Sequence, residues 1–127
     1  MKLPSDTEFD AMISAAMDSL PERDIQNLQN VVVTYADEPD RDQKKKLKIR
    51  GDSLLLGLYE GIPLTQRGAG YNLVLPDKIT LFKKSLAAYA DMRGTPLQEE
   101  IRHTLWHEIA HFYGLNHDDI HKRETNF

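Results

Sequence analysis

The chain has 127 residues, with 40% hydrophobic and 28% charged side chains, the make-up of one ordinary globular domain over residues 1–127 rather than a disordered or fibrous polypeptide. A net charge of −4 points away from nucleic acid as a partner, and the lack of cysteine excludes disulfides and thiolate metal ligands. The opening Met1-Lys2-Leu3-Pro4-Ser5-Asp6 has no apolar signal region, and no apolar run reaches the length of a membrane span, so the expected location is the cytoplasm, with no membrane partner.

Ser5-Asp6-Thr7-Glu8 has the form of a capping box, and Phe9, Met12, Ile13, Ala16, Met17 and Leu20 follow at helical spacing, so an amphipathic helix is predicted there. Pro21 interrupts it, and Glu22 to Gln29 reads as a second short helix with Ile25 and Leu28 inward. Val31-Val32-Val33-Thr34-Tyr35-Ala36 is β-branched and aromatic, hence a strand; apolar on both faces at its start, it is expected at the centre of a sheet. Asp37 to Gly51 is charged, contains Pro39 and the run Lys44-Lys45-Lys46-Leu47-Lys48, and reads as a solvated loop, because no aromatics interleave the basic residues.

Leu54 to Glu60 reads as a second strand, followed by an irregular loop marked by Gly61, Pro63, Gly68 and Gly70. Lys78 to Phe82 is a third strand, and Ser85 to Asp91 a short helix closed by Gly94. Thr95-Pro96-Leu97-Gln98 then looks like a second capping box with Pro at the first helical position, and Glu99 and Glu100 fall in the first turn, where the helix dipole favours acids. That helix is expected to run to about Tyr113. At 100° per residue, Ile101, Leu105, Ile109 and Phe112 share one face, and His103, His107 and His111 lie on another, with Glu108 between them. A last short helix is expected over Asp118 to Arg123.

Within this helix and its exit, His107-Glu108-Ile109-Ala110-His111-Phe112-Tyr113-Gly114-Leu115-Asn116-His117 reads H-E-x-x-H-x-x-G-x-x-H. Residues four apart on a helix share a face, so His107 and His111 are able to offer two imidazoles to one ion. Gly114 suits a left-handed helix end, after which the chain turns back and brings His117 within reach as third ligand. Three protein ligands leave a fourth zinc position open, and Glu108 is placed to act as the base. H-E-x-x-H alone arises by chance in roughly one such chain in a hundred, and the extended form in roughly a few in a hundred thousand, so incidental surface histidines are a poor explanation. Asp118 and His121 are the alternatives to His117. His103 and His111 are two turns apart, about 12 Å along the axis, so His103 is a rim residue rather than a ligand of the same ion. Tyr59, Tyr71 and Tyr113 have hydroxyls suited to a developing oxyanion, but none is assigned that role.

The motif resembles that of the zincin metallopeptidases, and its long form that of the metzincins. A closer resemblance covers most of the chain. Leu55-Leu56-Gly57-Leu58-Tyr59-Glu60-Gly61-Ile62-Pro63-Leu64-Thr65-Gln66-Arg67, then Leu75 to Phe82, then Arg102 to Gly114 are similar to recurrent segments of a small bacterial zincin-like metallopeptidase family, sometimes called minimal zincins. That resemblance implies an α+β fold, a small sheet of about three strands packed on helices, with zinc on the motif helix near the C-terminus. It carries His107 and His111 over as ligands and Glu108 as general base; the family often has Asp where this chain has His117. Only ten residues follow His117 and none is Met, so the Met-containing turn of full metzincins is missing.

The resulting expectation is a zinc-dependent peptidase with peptide or protein substrates, laid along an exposed sheet edge with Lys78 to Phe82 or the loop Gly61 to Tyr71 as the cleft wall. Two rivals share the pattern. A metal-dependent endoribonuclease family has three histidines at the same spacing but lacks the glutamate after the first, which this chain has as Glu108. A catalytically silent zinc-binding regulatory module would bind the metal and cut nothing.

Overall fold

A computed structural model describes residues 2–46, 54–68 and 75–115. The expected last helix, together with Tyr71, His117, Asp118 and His121, lies outside the described residues.

The first helix, α1 (Asp6–Ser19), opens with the predicted capping box: the Glu8 amide donates to Ser5 Oγ at 3.1 Å and the Ser5 amide to Glu8 Oε1 at 2.9 Å. After Pro21 the second helix is a single turn, α2 (Glu22–Ile25), shorter than expected. Strand β1 (Val31–Ala36) has the predicted bounds. The charged stretch after it is not all loop: α3 (Arg41–Lys46) starts where Asp40 and Gln43 cap each other, at 2.7 and 2.9 Å. The next strand shrinks to β2 (Gly57–Glu60), and a 3-10 turn, Leu64–Gln66, orders part of the predicted loop. Strand β3 (Asp77–Phe82) leads directly into α4 (Lys83–Arg93), which Gly94 closes in a left-handed conformation. His107, Glu108 and His111 lie on the long helix α5 (Leu97–Phe112).

The three strands form one mixed sheet in the order β1-β3-β2, with β1 parallel and β2 antiparallel to β3. The chain is therefore α+β, as expected, but its centre is β3, not β1. The reason lies in which side chains point where. Val31, Val33 and Tyr35 of β1, Ile79 and Leu81 of β3 and Tyr59 of β2 face one hydrophobic core, as alternation along a strand requires. The opposite set from β1 is left partly open, with Val32 48% exposed, whereas β3 is buried at every position except Lys78. A run of valines is satisfied by half-burial at an edge as well as by full burial at the centre.

Helices α1, α4 and α5 pack together on the core side, and α5 also rests on β2 and β3. Ile101, Leu105, Ile109 and Phe112 are the fully or almost fully buried stripe of α5, joined by Phe9, Ile13, Ala16 and Leu86 from the other helices. The expected second capping box is not formed. Pro96 itself is the N-cap; the Thr95 hydroxyl donates instead to Glu100 Oε1 at 2.7 Å, and the Gln98 amide reaches the Met12 carbonyl at 2.8 Å. No described helix is long and apolar enough to cross a membrane.

Candidate metal centre

Helix α5 ends in a Schellman turn. The Leu115 amide donates to Ala110 O at 3.2 Å and the Gly114 amide to His111 O at 2.9 Å, with Gly114 at φ +79°. A Cβ at Gly114 would also lie 2.3 Å from Thr65 Oγ1. The glycine thus does two things: it adopts the left-handed turn, and it lets the Leu64–Gln66 turn close over the helix end.

One turn inside that end, His107 and His111 stand side by side with ring centroids 4.9 Å apart. Each is half-buried, and one ligand atom from each of His107, Glu108 and His111 lies within 4.8 Å of the others. Glu108 is 8% exposed, wedged between the histidine face and the core face. Burial raises its carboxyl from 4.5 to about 7, and a backbone N–H from Tyr59 acts in the opposite direction.

What brings β2 so close is Gly57. A Cβ there would meet Thr104 Cγ2 at 2.7 Å, Leu81 Cδ2 at 3.2 Å and Glu108 Cγ at 3.3 Å. With no side chain at 57, the strand backbone lies directly against the motif helix. Among the described residues β2 pairs on one side only. The Phe82 amide donates to Leu56 O at 3.0 Å, and Leu58 sits opposite Thr80. Backbone groups alternate along an antiparallel strand, so Leu56 and Leu58 serve β3, while the N–H and C=O of Gly57 and Tyr59 point to the free edge.

A cleft of about 510 Å³ runs beside this edge, from His107 and Glu108 past His103 and Thr104 to Tyr89 and Arg93 of α4. Its strand wall is Leu55, Leu56 and Gly57. This corrects one of the expected walls: Lys78 to Phe82 belongs to the central strand, paired on both sides. Residues 61–68 of the other, the Gly61-to-Tyr71 loop, do not line this cleft, and the rest of that loop lies outside the described residues. His103 is exposed on the cleft rim and stands outside the His107–Glu108–His111 cluster. Two of the three tyrosine hydroxyls are committed elsewhere: Tyr59 donates to Asp77 Oδ2, and Tyr113 to the Asp24 carbonyl at 2.6 Å.

Two imidazoles one turn apart on a rigid helix, with no thiolate and a carboxylate beside them, suit zinc. The family model for zincin-like metallopeptidases matches residues 28–126. The chain belongs to the zincin-like metallopeptidase family. Zinc is the metal of this family, and the cluster on α5 is where such a zincin would hold it. A comparison with curated proteins finds no match.

Proposed function

We propose that this zincin-like chain is a zinc-dependent peptidase, acting as a single domain, in which His107, His111 and His117 hold the metal and Glu108 is the general base. The observation that carries the reading is the juxtaposition of three things. Paired imidazoles, a buried carboxylate and the free edge of a sheet meet at the mouth of one cleft. Zinc, when bound, supplies a Lewis acid that polarises the scissile carbonyl and acidifies the attacking water.

The chain's own residues do the rest. A peptide laid along β2 pairs with the outward N–H and C=O of Gly57 and the C=O of Tyr59, whose own N–H is held by Glu108, and this keeps its backbone extended beside α5. Glu108 takes the proton from the attacking water and hands it to the leaving amine. Its buried position raises the carboxyl, while a bound dication would lower it again, and the balance of the two sets how readily one group serves as base and then as acid. The cleft beyond Gly57 receives the substrate residues on that side of the bond. Peptides or proteins of the bacterial cytoplasm are the substrates in this reading; a cysteine-free composition is at home in that reducing compartment.

The test is the digestion of a peptide library by the zinc-loaded wild type and by Glu108→Ala. The wild type should cleave, and Glu108→Ala should lose hydrolysis while keeping its zinc. Equal cleavage by the two would remove Glu108 from the mechanism. Zinc binding with no cleavage by the wild type would favour the silent module.

A further inference from the structure

The segment from Tyr59 to Arg67 holds a second polar cluster, away from the metal ligands. Asp77, at the start of β3, is its hub, with a side chain 3% exposed. It accepts from the Tyr59 hydroxyl, from the Ile62 amide at 3.2 Å and from Arg67 Nη2 at 2.6 Å. Arg67 is itself buried, its side chain 6% exposed. It donates to Ile62 O and Gln29 O, both at 2.9 Å, and lies over the Phe112 ring, 4.9 Å from its centroid. Phe112 follows His111 in sequence and meets the Tyr59 ring edge-on at 6.2 Å.

A buried ion pair is a weak source of stability, because desolvation offsets most of the attraction. What this one supplies is geometry. It ties β2, β3, the 62–67 turn and the last residue of α5 to one carboxylate. The spacing of His107 and His111 needs no such help, since it is internal to a helix. The place of β2 relative to α5 is different: it is a relation between elements, and it decides where the Tyr59 N–H and the substrate-pairing edge stand relative to Glu108.

We propose that Asp77, acting through Tyr59 and Arg67, is a positioning residue for the peptidase site: it fixes β2, and the peptide paired to it, against Glu108. The proposal rests on the peptidase reading above. Breaking the cluster leaves the zinc ligands in place and moves the edge strand by a fraction of an ångström. A misplacement of about 1 Å costs on the order of a hundredfold in rate.

The test uses the full zinc-loaded chain with Asp77→Asn, Tyr59→Phe and, as a control, Lys83→Met. Lys83, the first residue of α4, pairs with Asp6 at 2.8 Å and Asp37 at 3.7 Å and lines neither the Asp77 cluster nor the cleft, so its loss reports on stability alone. Three quantities are read well below the melting temperature: zinc affinity, kcat and KM on a cleaved peptide, and binding of acetohydroxamate. That chelator holds zinc through its two oxygens and binds tighter where a carboxylate beside the metal accepts its proton, so its affinity reports on Glu108 without turnover. Asp77→Asn and Tyr59→Phe should keep zinc affinity and KM within about twofold. Both should lower kcat by about tenfold or more and weaken acetohydroxamate by a similar factor. Lys83→Met should lower only the melting temperature. If Asp77→Asn does not fold, Tyr59→Phe, which leaves the Arg67–Asp77 pair intact, carries the test. The proposal is overturned if these variants lower the melting temperature yet match Lys83→Met in kcat and acetohydroxamate binding. If the wild type cleaves no peptide, the peptidase reading fails, and the acetohydroxamate comparison alone decides the positioning of Glu108.

Discussion

Gly57→Ala is the smallest change that should disturb both the fold and the chemistry. The added methyl lies 2.7 Å from Thr104 Cγ2, against the ordinary carbon–carbon contact of about 3.5–4.0 Å. Thr104 is 7% exposed and β-branched, so its buried surroundings and stiff χ1 limit how far it can retreat. The strand and helix must therefore separate by roughly 1 Å. Overpacking of this kind costs about 1–3 kcal/mol. For 127 residues at about 2.1 cal/mol/K each, the unfolding entropy is roughly 270 cal/mol/K, so the melting temperature should fall by about 4–11 °C. The same separation moves β2 off Glu108, whose Cγ is the third atom in contact, and kcat should fall by about tenfold to a hundredfold. Calorimetry and peptide hydrolysis on one preparation measure both effects. Thr104→Ser removes the clashing methyl and should restore much of the stability in the double variant. The reasoning fails if Gly57→Ala melts and turns over like the wild type, or if Thr104→Ser gives no relief.

Three further outcomes follow from the same geometry. In the metal-free protein, Glu108 keeps its proton to about pH 7 when folded but only to 4.5 when unfolded. The folded state then holds more protons in between, so its contribution is present below pH 4.5 and is lost as pH rises to 7, by about 3 kcal/mol; in urea titrations the stability difference between metal-free wild type and Glu108→Gln should change across that window and stay constant on either side of it. Gly114→Ala places a side chain at φ +79° and against Thr65, and should cost about 1–3 kcal/mol in thermal unfolding, more than alanine at an ordinary helix end. His103→Ala should leave the zinc dissociation constant within about twofold, since His103 stands one turn beyond the cluster; a loss of tenfold or more would make it a ligand.

Much of this molecule was readable before any coordinates, and the parts that were not share a cause. The Ser5 cap, the buried stripe of α5 and the left-handed Gly114 are local consequences of residue type at fixed spacing, and each is present. The His107–Glu108–His111 cluster is local too, because one helical turn brings its members together. The errors concern relations between distant segments, or competing partners. Val31 to Val33 gave no sign that β3 would take the centre. Thr95 had a cap to make and a nearer acceptor in Glu100. Asp40 and Gln43 do carry a capping signal, hidden within a run dominated by charge. Gly57, Asp77 and Arg67 contribute through contacts across 10 to 51 residues of sequence, which no periodicity displays. The Leu55-to-Arg67 segment has a physical content: a strand stripped of a side chain where it touches the motif helix, and an arginine that anchors its far end.

The central claim is that α5 holds a zinc ion between His107 and His111, with Glu108 beside it as base rather than ligand. Zinc stoichiometry and affinity of the purified full chain, measured for wild type, His107→Ala, His111→Ala and Glu108→Gln, test it most directly. The account predicts one zinc per wild-type chain, affinity lower by about a hundredfold or more in either histidine variant, and near-wild-type affinity in Glu108→Gln. A wild type that binds no zinc, or histidine variants that bind it as tightly as the wild type, would contradict the account.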